Sequence, residues 1–175
     1  MCFSATASFS AAIGLSFVGA VIFKRGVPRP YEWIALIPFL FAIQQAAEGV
    51  IWISDRTSLW AQNTFLLIAF CVWPIFIPSA FLKAQQDTKR KQYDYLALGM
   101  GIAIAFFLLT MIPQTQVSPC SYAIHYEIEN NLDLMSQHAI GIIYILAVLI
   151  PFFASKQKGF VFIGGLLFLA AWSFF

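Results

Sequence analysis

Apolar residues form six long stretches along the chain, and short polar segments separate them. Each stretch is long enough for a helix that crosses or nearly crosses a hydrocarbon core roughly 30 Å thick. We therefore predict an all-α fold, a polytopic transmembrane bundle of about six helices in a single integral membrane domain, residues 1–175. The predicted helices cover residues 6–23, 33–54, 59–82, 95–112, 138–155 and 159–175.

The composition supports this assignment. Of the 175 residues, 61% are hydrophobic and 10% are charged, whereas soluble domains carry roughly 25% charged residues. Mean hydropathy is +0.80. The net charge of +2 is spread between apolar stretches, which does not favour nucleic-acid binding. Membrane lipids are the expected partners, and a membrane-protein partner or a homo-oligomer stays open.

Most lysines and arginines lie in three loops. Segments 24–32, 83–94 and 156–158 hold three, four and two of them, and Arg56 is the remaining one. Because basic residues are retained on the cytoplasmic side of a membrane, we predict that these three loops are cytoplasmic. Both termini, including the N-terminus, are then outside. The expected location is the cell membrane.

Glu48 lies inside the second apolar stretch. At about 100° per residue, Phe41, Gln45, Glu48 and Trp52 share one helical stripe, and Gln44 flanks it. Ionisable residues within membrane spans are costly and usually face a bundle interior or a cavity. We predict an outward-facing polar pocket around Glu48. A proton or cation site, a metal ligand, a headgroup contact and a purely structural carboxyl remain open alternatives.

The predicted topology brings further polar residues to the outer side. Thiolate, imidazole and carboxylate groups are usual zinc ligands, but no recognised metal motif is present. A transition metal such as zinc is therefore one candidate cofactor, and the cofactor is otherwise unknown. The ligand-binding candidates are Gln44, Gln45, Glu48, Trp52, Ser4 and Thr6, and the metal-ligand candidates are Cys2, Glu48, His138 and His125.

Cysteines and small residues also have structural interpretations. Cys2 and Cys120 share the predicted outer side, so a disulfide between them is expected if that side is oxidising. Cys71 is predicted to be a small packing residue. Small residues recur every fourth position in the first stretch and predict a close helix contact. They are Ser4, Ser8, Ala12, Ser16 and Ala20.

Two other features interrupt the helical pattern. Pro74 and Pro78, one turn apart in WPIFIP, each remove a backbone donor and predict a kink or a broken turn. The segment 114–137 is longer than the usual connection between helices. It is predicted to be an outer lid or a re-entrant cap rather than a simple tether.

Three segments, MCFSATASF, IQQAAEGVIW and WPIFIP, give the chain a family resemblance. It resembles an uncharacterised bacterial family of multipass membrane proteins, a domain of unknown function. The resemblance implies a helical bundle along most of the chain and supplies no activity. Relatives continue into another apolar segment with a Trp-Cys pair, so either this chain is naturally shorter or a further helix follows Phe175.

Three functional hypotheses follow from these observations. The first is a membrane protein that binds a metal ion, a small ligand or a lipid headgroup near Glu48. The second is a membrane-embedded, metal-dependent hydrolase or transferase, which needs a metal with an open water position. The third is a structural or assembly subunit of a membrane complex. The residues do not decide whether the protein is an enzyme.

Overall fold

The computed structural model describes residues 4–54, 58–120, 123–128 and 134–172, and most of them are helical. The predicted all-α bundle of about six helices is confirmed, because α2–α3 and α4–α5 each occupy one predicted stretch. The helices are α1 (Ala5–Lys24), α2 (Glu32–Ala35), α3 (Ile37–Ile53), α4 (Leu59–Leu67), α5 (Trp73–Ala84), α6 (Thr88–Leu109), α7 (Leu134–Ala154) and α8 (Lys158–Trp172).

Five helical stretches in the described part of the chain are long and apolar enough to cross a membrane. Many of their large apolar side chains are exposed, as expected for surfaces that contact lipid. The chain is therefore compatible with a multipass membrane protein. The five stretches are Ala5–Lys24, Arg29–Ile53, Leu59–Ala84, Thr88–Leu109 and Met135–Ala154.

The irregular backbone predicted at the two prolines lies just before them. A π-helical turn, Ile68–Val72, separates α4 from α5, and Pro74 then occupies the first turn of α5. Because the helix continues without interruption from Leu59 to Ala84, Pro74 also removes a backbone donor and leaves a carbonyl of the preceding turn without its helical hydrogen bond. Pro78 lies inside α5, so the carbonyl of Pro74 receives no helical hydrogen bond.

The connection after α6 contains a β-hairpin, which the sequence did not predict. A 3-10 turn, Ile112–Gln114, leads into β1 (Thr115–Cys120), which pairs antiparallel with β2 (Ala123–Ile128). The register runs from the Thr115–Ile128 pair to the Cys120–Ala123 pair. Whether this hairpin acts as a lid stays a prediction.

Contacts group the chain into two compact units. The first unit comprises Met1–Phe70 and Leu108–Asn130, and the second unit comprises Cys71–Phe107 and Asn131–Phe175.

In the first unit, α1 packs antiparallel along α3 through two matched contacts. A Cβ atom on Gly49 of α3 would lie 2.8 Å from the Phe9 ring of α1, and one on Gly19 of α1 would lie 2.7 Å from the Phe39 ring of α3. Each glycine thus receives an aromatic ring from the other helix. This close approach is typical of membrane helices with small residues at their interface.

The stripe of small residues on α1 contributes only in part to this contact. Ser8 and Ala12 are buried, whereas Ser16 and Ala20 are exposed, and the buried face continues at Gly19 instead. A four-residue repeat advances about 40° around an α-helix at each step. It therefore rotates away from a straight partner, and the predicted single stripe is only half right.

In the second unit, α5 and α6 approach each other most closely at Gly101. A Cβ atom there would collide with the carbonyl oxygen of Pro74, the same carbonyl that Pro78 leaves without a helical donor. The α5–α7–α8 contact is aromatic, since the Phe81 ring lies 4.7 Å from Phe152 and 5.2 Å from Phe160, centroid to centroid.

Candidate functional site

Glu48 lies on the buried face of α3. Its residue surface is 7% exposed, and the Nε2 atom of Gln45, one turn earlier, donates a 3.0 Å hydrogen bond to its Oε2 atom. Side chains three positions apart on a helix are neighbours. The local helix therefore brings together two of the residues that the sequence analysis proposed.

Ser8 of α1 joins this pair across the helix interface. The contact between Phe9 and Gly49 fixes the adjacent residues, and it places the Ser8 hydroxyl beside the Glu48 carboxylate. Ser8 is fully buried, and its Oγ atom makes no hydrogen bond of good geometry to any described residue. A buried hydroxyl in this state retains capacity to donate and to accept. We name Ser8, Gln45 and Glu48 the Glu48 cluster.

Two more glutamines are buried in the same unit. Gln44, one turn before Glu48 on α3, is 8% exposed, and Gln62 on α4 is 9% exposed. The fully buried pair of Ile51 and Ala61 joins these two helices, and Ala61 precedes Gln62 directly. The surroundings of the Glu48 cluster thus include amides, which supply both donors and acceptors.

The predicted stripe on α3 is displaced around the helix. Phe41 is 39% exposed, Trp52 is half-buried, and the buried face includes Gln44, Ala47, Glu48 and Ile51. Gln44, which the sequence analysis placed at the edge, is therefore central. The displacement follows the position of α1, which packs at Gly49.

The other candidate residues lie elsewhere. Ser4 is the exposed N-cap of α1 and accepts a 3.3 Å hydrogen bond from the Ala7 amide, and Thr6 is also exposed. His138 is exposed on α7 in the second unit. His125 belongs to β2 and pairs in register with Ser118.

The predicted disulfide between Cys2 and Cys120 cannot be compared with the structure. Cys2 lies outside the described residues, and Cys120 ends β1. Cys71 is a free thiol whose Sγ atom donates to the Ala105 carbonyl over 3.5 Å, which agrees with its predicted packing role. Within the described ranges, no group of three or more His, Cys, Asp or Glu side chains is arranged to hold a metal ion.

Sequence reasoning missed Asp94 on α6, which was assigned to the preceding basic loop. The residue is 0% exposed. It precedes Ala97 and Gly101 by one and two turns, on the buried face of the helix. The signal in the sequence was this spacing of Asp94, Ala97, Gly101 and Ala105, which puts the carboxyl in line with small packing residues.

Charged residues at the start of α6 form a small paired group. Lys156 Nζ lies 2.9 Å from Asp87 Oδ2, and Arg90 Nε lies 3.7 Å from the same atom. The hydrogen bond from Lys156 lowers the pKa of the Asp87 carboxyl below its usual value. Arg90 Nη1 also donates a 2.7 Å hydrogen bond to the Ala154 carbonyl at the end of α7, where a cation is favourable.

Comparison with known proteins gives a family and no activity. The sequence profile of a family of unknown function, DUF6629, matches residues 1–173. The chain belongs to this family. No curated protein and no solved structure shows significant similarity to it. Membership of DUF6629 agrees with the resemblance to a family without established function, and the chemistry must be argued from the residues themselves.

Proposed function

We propose that the protein is a multipass membrane protein of a bacterial inner membrane that binds a small, singly charged cationic ligand at the Glu48 cluster. Segments 24–32, 83–94 and 156–158 are cytoplasmic in this proposal, and the Glu48 cluster opens outwards. The five apolar helices and the distribution of lysine and arginine support this topology.

The state of the Glu48 carboxylate carries the proposal. It is buried, it accepts a hydrogen bond from the Gln45 amide, and the ion pairs in the described part of the chain do not include it. An isolated ionised carboxylate in an apolar interior is unfavourable unless a positive charge compensates it. A ligand with one positive charge supplies that compensation.

The polar groups around Glu48 suit a primary ammonium group. An ammonium has three N–H donors and no acceptor. The Glu48 carboxylate and the Ser8 hydroxyl oxygen offer acceptors on two sides, and the side-chain oxygen of Gln45 is a further acceptor on α3. A zinc ion prefers several His, Cys or carboxylate ligands, so the described residues around Glu48 fit an ammonium better than zinc. The ligand is a free amine or the headgroup of an aminophospholipid.

Binding measurements on the full chain in lipid nanodiscs test this proposal. Methylammonium and ethanolamine are titrated by calorimetry, and native mass spectrometry compares retention of phosphatidylethanolamine with that of phosphatidylcholine. Retention of the lipid alone identifies a headgroup site, and binding of the soluble amines identifies a free-amine site.

The isosteric change Glu48→Gln removes the charge while keeping the size. We expect it to weaken binding by at least about tenfold, since charge-assisted hydrogen bonds contribute about 1.5–3 kcal/mol. Glu32→Gln is the matched control, because Glu32 is exposed at the start of α2. Equal binding by the wild type and Glu48→Gln, or no binding of any amine, contradicts the proposal.

A further inference from the structure

Asp94 is a second buried carboxyl, and it lies in the second unit. It is 0% exposed, and neither Oδ1 nor Oδ2 has a hydrogen-bond partner among the described residues. Burial of an unpaired carboxylate is among the least favourable arrangements in a protein interior. The arrangement therefore needs a species that neutralises the charge.

The residues that follow Asp94 on its face of α6 are buried and closely packed. Ala97, one turn later on α6, is 0% exposed, and Gly101, one turn beyond, has its Cα against the backbone of Pro74. Residues on α5 at this end of the unit are equally enclosed, with Ala80 at 0% and Phe81 at 4% exposed. The smallest neutralising species, a proton, fits such an interior without displacing side chains.

Helix α7 contains a carbonyl that lacks its helical hydrogen-bond donor. Arg90 at the start of α6 bonds the Ala154 carbonyl at the end of α7, so the two helices run antiparallel from that point. One turn inwards from this contact are Asp94 on α6 and Pro151 on α7. Pro151 is inside α7 and fully buried, and because it has no N–H it leaves the Ala147 carbonyl without its helical hydrogen bond.

We propose that Asp94 is a proton-binding site: its carboxyl holds one proton while α6 is packed in the second unit, and the Oδ–H group donates to the free carbonyl of Ala147. The protonated acid is neutral and satisfies two groups at once, one donor and one acceptor. The proton is exchanged when α6 leaves its packed position. This site is independent of the ligand proposed for Glu48.

The charged and titratable groups on the neighbouring elements do not supply another partner. Lys91, one turn before Asp94 on α6, favours the ionised form and is the competing influence. Arg90, Asp87 and Lys156 are engaged with one another or with Ala154. The remaining groups are exposed Lys83 on α5, His138 and Tyr144 on α7, and exposed Lys158 at the start of α8.

The pH dependence of unfolding tests the proposal. A folded chain that holds one proton more than the unfolded chain loses stability as the pH rises. Between about pH 5 and pH 6, above the range in which an exposed aspartate titrates, we expect the unfolding equilibrium constant in detergent to increase several-fold, by at most about tenfold per pH unit. The measurement uses the Glu48→Gln background, so that the other buried carboxyl does not contribute.

The decisive variant is Asp94→Asn, which resembles the protonated acid in size and hydrogen bonding. We expect it to fold and to abolish the pH slope, while Asp87→Asn, which changes a paired surface carboxyl, leaves the slope intact. A slope that persists in Asp94→Asn overturns the proposal. So does a wild-type stability that responds to Na⁺ or K⁺ at constant pH, because the bound species is then a metal cation.

Infrared spectroscopy gives a readout that does not depend on unfolding. The carbonyl stretch of a protonated carboxylic acid is expected in the wild type at about pH 6 and is expected to lose intensity in Asp94→Asn and in Asp94→Ala. If Asp94→Asn does not fold, the wild-type spectrum remains informative, since a fully ionised set of carboxylates contradicts the proposal by itself.

Discussion

Glu48 and Asp94 are carboxyls of similar burial in very different surroundings. Glu48 accepts a hydrogen bond from Gln45 and lies beside a serine hydroxyl, whereas the oxygens of Asp94 lack a partner among the described residues. The first carboxyl is part of a set of groups that can share a ligand. The second lies on a helical face with Ala97 and Gly101, which offer no side-chain hydrogen-bonding group. Burial alone therefore does not determine what a carboxyl group can bind. The hydrogen-bonding groups around the carboxyl determine it.

The largest expected effect concerns the packing of α6, the helix that carries Asp94. Gly101→Ala places a Cβ atom against the Pro74 carbonyl. Because both contacting groups belong to helix backbone, the clash is relieved only if the helices move apart, and we expect a loss of about 3 kcal/mol in the free energy of unfolding. Unfolding in mixed micelles measures it. Gly99→Ala on the same helix meets nothing within 4 Å and is expected to be neutral or slightly stabilising. Equal losses in both variants contradict this packing.

The corresponding change in the first unit is expected to be milder. Gly49→Ala meets the Phe9 ring, a side chain that can turn aside, and we expect a loss of about 1–2 kcal/mol. Because the ring contact also places Ser8 beside Glu48, amine binding is expected to fall several-fold. Gly14→Ala, with open space around it, is the control for both measurements. If a folded Gly49→Ala variant binds amines as tightly as the wild type, the contact between Phe9 and Gly49 does not position the binding site.

Ser8→Ala separates binding from stability. The Ser8 hydroxyl makes no hydrogen bond to described residues, so its removal is expected to change the free energy of unfolding by less than about 0.5 kcal/mol, because no established bond is lost. Amine affinity is expected to fall about fivefold, the loss of about one hydrogen bond. Ser16→Ala, at an exposed position on the same helix, serves as the control. A large loss of stability with intact binding indicates a structural hydroxyl.

The smallest expected effect concerns a carboxyl that is neither buried nor unpaired. The pKa of Asp87 is lowered by its hydrogen bond from Lys156, so its contribution to stability is present above the usual aspartate value and is lost as the pH falls through the lower folded value. The melting temperature of Asp87→Asn is expected to lie slightly below that of the wild type at neutral pH and to match it in strong acid. High salt is expected to reduce the difference. A difference that grows in acid contradicts the pairing.

The sequence pattern predicted the helices and the proximity of Gln45 to Glu48, because both depend on residues that are close together in the chain. Apolar runs of membrane-spanning length are read directly from the chain, and the spacing of Gln45 and Glu48 on one helix fixes their contact. The partner helix was not predictable in the same way. Ser8 belongs to the site because Phe9 packs at Gly49, a contact between residues forty positions apart that no periodicity reveals.

Asp94 and the hairpin were missed for two different reasons. Asp94 follows three basic residues within six positions, and this local charge suggested a solvated loop, although the helix already begins at Thr88. The strands Thr115–Cys120 and Ala123–Ile128 contain proline and charged residues, which are depleted in strands. Neither segment therefore shows the strong strand preference from which their pairing could be predicted.

The matched contacts between α1 and α3 restrict how the Glu48 cluster can open. Phe9 and Gly19 on α1 are separated by the same number of residues as Phe39 and Gly49 on α3, so both rings meet their glycines at one axial register only. Sliding α1 by one turn, about 5.4 Å, would press both rings against larger side chains at the same time. The two contacts therefore oppose a sliding motion of α1 along the helix axis, and any opening of the Glu48 cluster at this interface requires a tilt of α1 instead.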